Sequence, residues 1–388
     1  HYWDPETNVL DGIIAFHVDD LIIGGSEKFY DDVFGKLQSK YPFKHVKDKQ
    51  GEFLGKQLVQ CDDGTLCIQQ KEYASAMACI PVSKERRREK ESPITENERG
   101  QMRAVLGEIN WLVSGSRPDL AACSLLQQRV SKAVVGDLIE VNKVVSQVHD
   151  HSNTEIKILP IPIQNLEIGV WSDASFANAE AHKSQGGYMV CAVEKGLKEN
   201  KWSKVSPWRW RSFKQDRQTA STLAAQLLTM SRAVAEAKWL RSMWTEMTCP
   251  SYTLESDREL TKQTAIVLSI DSRPAYDHLH GQVMTIKDKR LAIEMLLMKQ
   301  DIGSENVLEQ AHCIACHSPP IHPSLGNETR SSRHLLTNGG KVAGTQTAGK
   351  DNRGRVGCNL TQTALHKHTT TGLQTQVTKC TCPKNTPH

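Results

Sequence analysis

The residues best suited to chemistry begin with an adjacent pair. Asp19 and Asp20 stand side by side inside Gly12-Ile13-Ile14-Ala15-Phe16-His17-Val18-Asp19-Asp20-Leu21-Ile22-Ile23-Gly24-Gly25. Neighbouring carboxylates repel, and apolar flanks raise the cost of ionising both. A hard divalent cation such as Mg²⁺ binds through carboxylate oxygens and relieves that repulsion. The flanks read as two short strands, residues 9–16 and 21–23, with both aspartates at the hairpin tip. Taken alone, the dipeptide fits an ordinary turn better than a metal site.

A second acidic set lies far along the chain. Asp173 follows an alternating segment in which Leu166, Ile168 and Val170 share one strand face and Trp171 and Asp173 the other. Asp271 ends the apolar run Ala265-Ile266-Val267-Leu268-Ser269-Ile270. Carboxylates at strand ends of a mixed sheet can meet at one edge and hold a pair of divalent ions. Such a pair activates water and steadies the leaving oxygen in phosphodiester cleavage. For either aspartate alone, a cap or turn role is the simpler reading. Trp208-Arg209-Trp210-Arg211-Ser212-Phe213-Lys214 predicts a strand with alternating aromatics and cations. Its Arg209, Arg211 and Lys214 suit contact with phosphates, and a half-buried strand with a solvated basic face competes with that reading.

These residues need elements to position them. Between the two late aspartates, Leu223, Leu227, Met230, Val234, Ala237, Leu240 and Trp244 recur at helical spacing, predicting a long helix over 219–244. Residues 186–193 read as a further strand and 287–299 as a further helix. Near the beginning, Phe29, Val33, Phe34 and Leu37 predict a helix over 27–40. Strand-like segments at 53–59 and 65–68 flank the turn signal Asp63-Gly64, and 71–79 reads as helical. The dense charges of 83–91 read as a solvated linker. Thr95 and Glu98 form a capping-box pattern opening a helical region to about Val148, interrupted at Arg117-Pro118-Asp119. Pro160 and Pro162 mark a second boundary.

The 388 residues suggest two or three domains, and 38% hydrophobic content supplies real cores. A net charge of +4 argues weakly for an acidic partner. The 11 cysteines are mostly scattered singly, which suits a reducing compartment better than a disulfide framework. No apolar run is long enough to span a bilayer. The chain opens at His1 with neither Met nor signal peptide, so it reads as a piece of something longer, of intracellular (cytoplasmic or nuclear) location.

In this order the motifs resemble the reverse transcriptase and RNase H region of copia-type retrotransposon Pol polyproteins. Phe16-His17-Val18-Asp19-Asp20-Leu21-Ile22-Ile23-Gly24 is similar to the polymerase hairpin motif, usually Tyr-Val-Asp-Asp. Phe53-Leu54-Gly55, Asp63-Gly64-Thr65-Leu66 and Gln70 to Tyr73 resemble the strands that follow it. Leu106-Gly107, Trp111-Leu112 and Arg117-Pro118-Asp119-Leu120-Ala121 resemble the next segment. Trp171-Ser172-Asp173-Ala174-Ser175-Phe176-Ala177-Asn178 and Ser184-Gln185-Gly186-Gly187-Tyr188 are similar to the opening of the RNase H domain. The resemblance covers about residues 1–300.

It implies an α/β (α+β) fold: a partial reverse transcriptase palm over 1–82, the charged linker over 83–94, and a helical thumb- or connection-like region over 95–160. An RNase H-like mixed sheet with helices then spans 161–305, followed by a disordered or degenerate tail over 306–388. The resemblance implies Mg²⁺ at Asp19 and Asp20 for nucleotide transfer, and at Asp173 and Asp271 for hybrid cleavage. Its partners would be an RNA–DNA hybrid or template–primer nucleic acid and the rest of the Pol polyprotein, with no membrane. The long helix should supply a catalytic Glu, and by register that position is Gln226. An amide lacks the charge a hard cation needs, and Glu236 stands almost three turns away. His17 replaces the usual Tyr, the polymerase motif carrying the remaining Asp is absent, and Glu309 to His317 does not match the expected terminal strand and acidic element.

The chain is therefore expected to descend from an RNA-directed DNA polymerase and ribonuclease H, to polymerise nothing alone, and to cleave hybrids poorly or not at all. The alternative is a non-catalytic nucleic-acid-binding remnant of the same fold. Cys313-x-x-Cys316-His317 has the spacing of a haem attachment site, and chance is the favoured account of it.

Overall fold

The computed structural model describes residues 1–18, 20–41, 43, 45–196, 203–281, 286, 288–304 and 307–311. Asp19, Cys313, Cys316, His317 and the rest of the expected tail beyond 311 lie outside the described residues.

The first sheet is antiparallel, in the order β1 (Tyr2–Trp3), β2 (Leu10–His17), β3 (Asp20–Gly25). The expected hairpin is present, but His17 pairs with Asp20, so Asp20 opens β3 instead of sharing the tip. The ladder bonds reach one residue further than the apolar pattern does. Gly12 and Gly25 face each other across β2 and β3 because the fully buried ring of Phe29 lies over both. A Cβ on either glycine would come within 2.3 Å of that ring. The helical stretch behind the hairpin runs as Glu27–Phe29, a π-helical turn Tyr30–Phe34, and Gly35–Lys40. The wide turn brings Phe29, Tyr30 and Phe34 together into one buried cluster.

The second sheet contains β4 (Gln50–Phe53), β5 (Lys56–Gln60), β6 (Leu66–Gln69) and β7 (Glu155–Ile158), all antiparallel. The expected single strand over 53–59 is in fact two. Phe53 pairs with Lys56, and Leu54 and Gly55 turn between them at φ 52° and 67°. Two positive φ values define the tight hairpin turn that matches strand twist. The Asp63-Gly64 turn stands as expected, with Gly64 at φ 81° and Thr65 N–H donating to Asp63 Oδ1.

The expected helix over 71–79 is shorter, Lys71–Ala76. α1 (Glu96–Gly115) opens on the anticipated capping box: Thr95 N–H donates to Glu98 Oε2 at 2.7 Å, and Glu98 N–H to Thr95 Oγ1 at 3.2 Å. The charged run before it is pinned rather than simply solvated, because the Arg86 guanidinium bonds Glu98, Glu89 and the Pro93 carbonyl. Met102, Leu106, Ile109 and Leu112 of α1 form a core with Leu138, Val141, Val145 and Val148 of α2 (Val135–Asp150). The Arg117-Pro118-Asp119 interruption has a structural cause. Buried Arg117 grips Asp119 with two nitrogens and donates to the His151 carbonyl at 3.0 Å, tying the end of α1 to the end of α2.

The third sheet has the order β10-β9-β8-β11-β12, from β8 (Leu166–Ser175), β9 (Gln185–Glu194), β10 (Val205–Lys214), β11 (Ile266–Ile270) and β12 (Val307–Ala311). β8, β9 and β10 are antiparallel neighbours, while β11 runs parallel to β8 and β12. This is the anticipated mixed sheet with helices, and the architecture is α/β. α3 (Thr222–Thr248), α4 (Arg273–His280) and α5 (Lys289–Ser304) bury Ala224, Leu227, Val234, Ala275 and Met295 against Leu166, Ile168, Val170, Ile266 and Leu268. Trp171 packs on the other face with Met189, Cys191 and Val193, as alternation predicts. The sheet does not stop at 305. β12 pairs residue by residue with β11, and Val307 is buried in the core. Its sequence shows little apolar periodicity because the backbone ladder carries the pairing. Among the described residues, no helix is long and apolar enough to cross a membrane.

Candidate metal and nucleic-acid site

Three of the residues singled out in the sequence meet at one end of the third sheet. Asp173 lies near the end of β8, where it pairs with Gly187 of β9. Parallel pairing sets Ser269 opposite Trp171, so the same register puts Asp271 level with Asp173, just past β11. Ser221 caps α3 by accepting from Ala224 N–H at 3.1 Å, which starts the helix early enough to carry Gln226 to that edge.

Gln226 Nε2 donates to Asp173 Oδ1 at 2.7 Å and makes a longer contact with the Ala174 carbonyl at 3.4 Å. The Ala174 amide N–H reaches the same Oδ1, also at 2.7 Å. One oxygen of Asp173 therefore already holds two donors. Asp271 is exposed as a residue, yet its carboxyl is pushed up to about 6. Partial desolvation is the larger cause and the charge of Asp173 the smaller. Two carboxylates thus crowd one edge, and their neighbour Gln226 offers an N–H.

That donor set does not fit a two-ion Mg²⁺ centre. Hard divalent cations want several anionic or carbonyl oxygens, and this edge provides two carboxylates with one oxygen already engaged. Among the described residues, no group of three or more His, Cys, Asp or Glu is disposed to hold a metal. Glu236 supplies no substitute, since it pairs with Arg209 at 2.9 Å.

The remaining candidates lie elsewhere. Asp20 is exposed on the first sheet, across from His17. Arg209, Arg211 and Lys214 do not form a single basic stripe. A bulge between Pro207 and Arg209 breaks the alternation of β10. Trp208 consequently packs on Trp244 of α3, while Trp210 joins the opposite core and donates to the Val113 carbonyl at 2.7 Å. Arg209 and Arg211 face the α3 side with Phe213, and Lys214 falls on the other face. Arg232 of α3 stacks its guanidinium over Phe213 at 4.3 Å, adding a cation that sequence reading missed. The four-residue spacing of Arg232 and Glu236 on α3 was its available signal. Also missed was a cleft of about 370 Å³ between α1 and β10, lined in part by Asn110, Ser114, Gln127, Trp208 and Trp210. Nothing local in the sequence marks it, because its walls are remote in the chain.

No family model matches the sequence. No curated protein matches it either. Among solved structures, it is similar to the LC11-RNase H1 isolated from compost by a metagenomic approach. That alignment has 11% identity and a TM-score of 0.25, covering 38% of this chain and 84% of that one. It is also similar to the foamy viral protease-reverse transcriptase in complex with an RNA/DNA hybrid, with 12% identity and a TM-score of 0.43. Here the alignment covers 87% of this chain and 38% of that one, so this chain spans less than two fifths of the viral protein.

Proposed function

We propose that this chain is a relative of copia-type retrotransposon reverse transcriptase–RNase H proteins whose RNase H-like centre holds nucleic acid but cleaves it poorly or not at all. The ordered motifs from Asp20 to Tyr188 support the descent. The observation that carries the functional half is the 2.7 Å bond from Gln226 Nε2 to Asp173 Oδ1. A glutamate at that position would add a charge and an open ligand oxygen. The amide adds neither, and its N–H occupies an oxygen that a cation would use. Asp173 and Asp271 would bind Mg²⁺ weakly.

The substrate in this reading is an RNA–DNA hybrid or a template–primer duplex, and the natural context is the rest of a Pol polyprotein. Arg211 and the flank of β10 would meet its backbone, with Arg209 already partly neutralised by Glu236. The Asp19-Asp20 pair contributes metal-site ancestry and no polymerisation on its own. The second reading, a non-catalytic nucleic-acid-binding remnant, is favoured by the same amide. One experiment separates them: hybrid binding and hybrid cleavage measured together across salt, in Mg²⁺ and in Mn²⁺. Slow cleavage lost in Asp173→Asn supports a weakened enzyme, and salt-dependent binding without turnover supports the remnant. Rapid cleavage by the unaltered chain contradicts both.

A further inference from the structure

The hairpin joining β5 and β6 carries two thiols that the proposed function does not use. Val59 pairs with Cys67, and Cys61 N–H donates to the Thr65 carbonyl one step beyond the ladder. Cys61 and Cys67 are therefore diagonal neighbours on one face of the hairpin, where side chains of adjacent strands reach each other. Their sulfurs lie 3.8 Å apart. Cys61 is exposed and Cys67 is 5% exposed. The other described cysteines, Cys79, Cys123, Cys191 and Cys249, show no such pairing of sulfurs among the described residues.

We propose that Cys61 and Cys67 form a thiol–disulfide exchange site for a small disulfide of the glutathione type. Cys61 is the entry thiol, because it alone of the two meets solvent. Its thiolate attacks one sulfur of oxidised glutathione, a Cys61–glutathione bond forms, and one glutathione thiolate leaves to take up the proton that Cys61 gave away. The Cys67 thiolate then attacks Cys61 Sγ, the protein disulfide forms, and the second glutathione leaves. Two protein thiols are oxidised and one external disulfide is reduced. The sulfurs must close from 3.8 Å to about 2.0 Å, by rotation of both side chains together with the small backbone shift a diagonal pair needs at the end of the ladder. Burial, then the charge of Glu155, pushes the Cys67 thiol up to about 12, so Cys67 waits as a thiol and the second step quickens as pH rises. The product staples the Asp63-Gly64 turn.

The test is mass-spectrometric peptide mapping of the full chain after incubation with oxidised glutathione under native conditions, with acid quenching. The expected result is a Cys61–Cys67 cross-linked peptide and loss of both free thiols at those positions. In Cys67→Ser the glutathione adduct should accumulate on Cys61, and in Cys61→Ser position 67 should stay unmodified. The proposal is overturned if unaltered protein keeps glutathione on Cys61 beside a free Cys67. It is equally overturned if Cys61 pairs with another cysteine, or if both thiols stay free while exposed Cys79 is modified. The unaltered protein decides these outcomes even where a variant folds poorly.

Discussion

Gln226 shows what a single residue can say when its position is fixed by register. The resemblance, carried along α3 by register, named it as the helix position expected to share a site with Asp173, and the structure brings the two to 2.7 Å. That was legible because a long helix with regular spacing tolerates no drift. The direction of its hydrogen bond was not legible, since a glutamine can turn either its oxygen or its nitrogen to a neighbour. The carboxylate oxygen of Asp173 decides it by accepting the N–H. Arg117 presents the opposite case. Its motif was visible, and its role as a buried brace was not. Arg117→Ala leaves Asp119 and the His151 carbonyl without their cation and should cost about 3–5 kcal/mol, read by urea denaturation. Arg117→Lys should recover little of that, because a single ammonium cannot reproduce the two-pronged grip together with the third bond.

Elements were legible where local chemistry closes on itself. The Thr95–Glu98 box could be read directly, since both partners lie within one helical turn. Thr95→Ala should cost about 1 kcal/mol in thermal or chemical unfolding. Arg86 is the chief cause that holds the Glu98 carboxyl down to about 2, with the Thr95 bonds adding to it. A depressed carboxylate stabilises the fold above its ordinary range, near 4.5, and that contribution drains away as pH falls toward 2. The stability gap between the unaltered chain and Glu98→Gln should be flat above about pH 5 and shrink steadily in acid. A gap independent of pH would show that the charge of Glu98 does no such work. Where backbone geometry departs from pattern, sequence reading failed. Leu54 sits at φ 52° in a turn that prefers Asn-Gly, so the apolar run hid a break. Leu54→Asn should restore the preferred pair before Gly55 and stabilise the protein by up to about 1 kcal/mol, measured as a raised urea midpoint. The bulge in β10 is of the same kind. One extra residue sends Trp208 and Trp210 to opposite faces, while ordinary alternation keeps Arg209 and Arg211 together and puts Lys214 on the other side.

At the scale of the molecule, the mixed sheet follows from the sequence because β8 alternates cleanly, β9 and β11 are apolar runs, and a long periodic helix stands between them. β12 escaped because its partner is remote and its five residues are too few to show a pattern, and the α1–β10 cleft escaped for the same reason of distance. What the assembled molecule adds is convergence. Two strand ends and one helix, separated by up to about a hundred residues of chain, deliver Asp173, Asp271 and Gln226 to one edge. The central claim is that this edge is an RNase H-like centre disabled by one amide. Its most direct test is RNA–DNA hybrid cleavage by the unaltered chain and by Gln226→Glu, side by side in Mg²⁺ and Mn²⁺. The account predicts little or no cleavage by the unaltered chain. It predicts a gain of about 10–100-fold in Gln226→Glu that is abolished when Asp173→Asn is added. Robust cleavage by the unaltered chain, lost in Asp173→Asn, would contradict it.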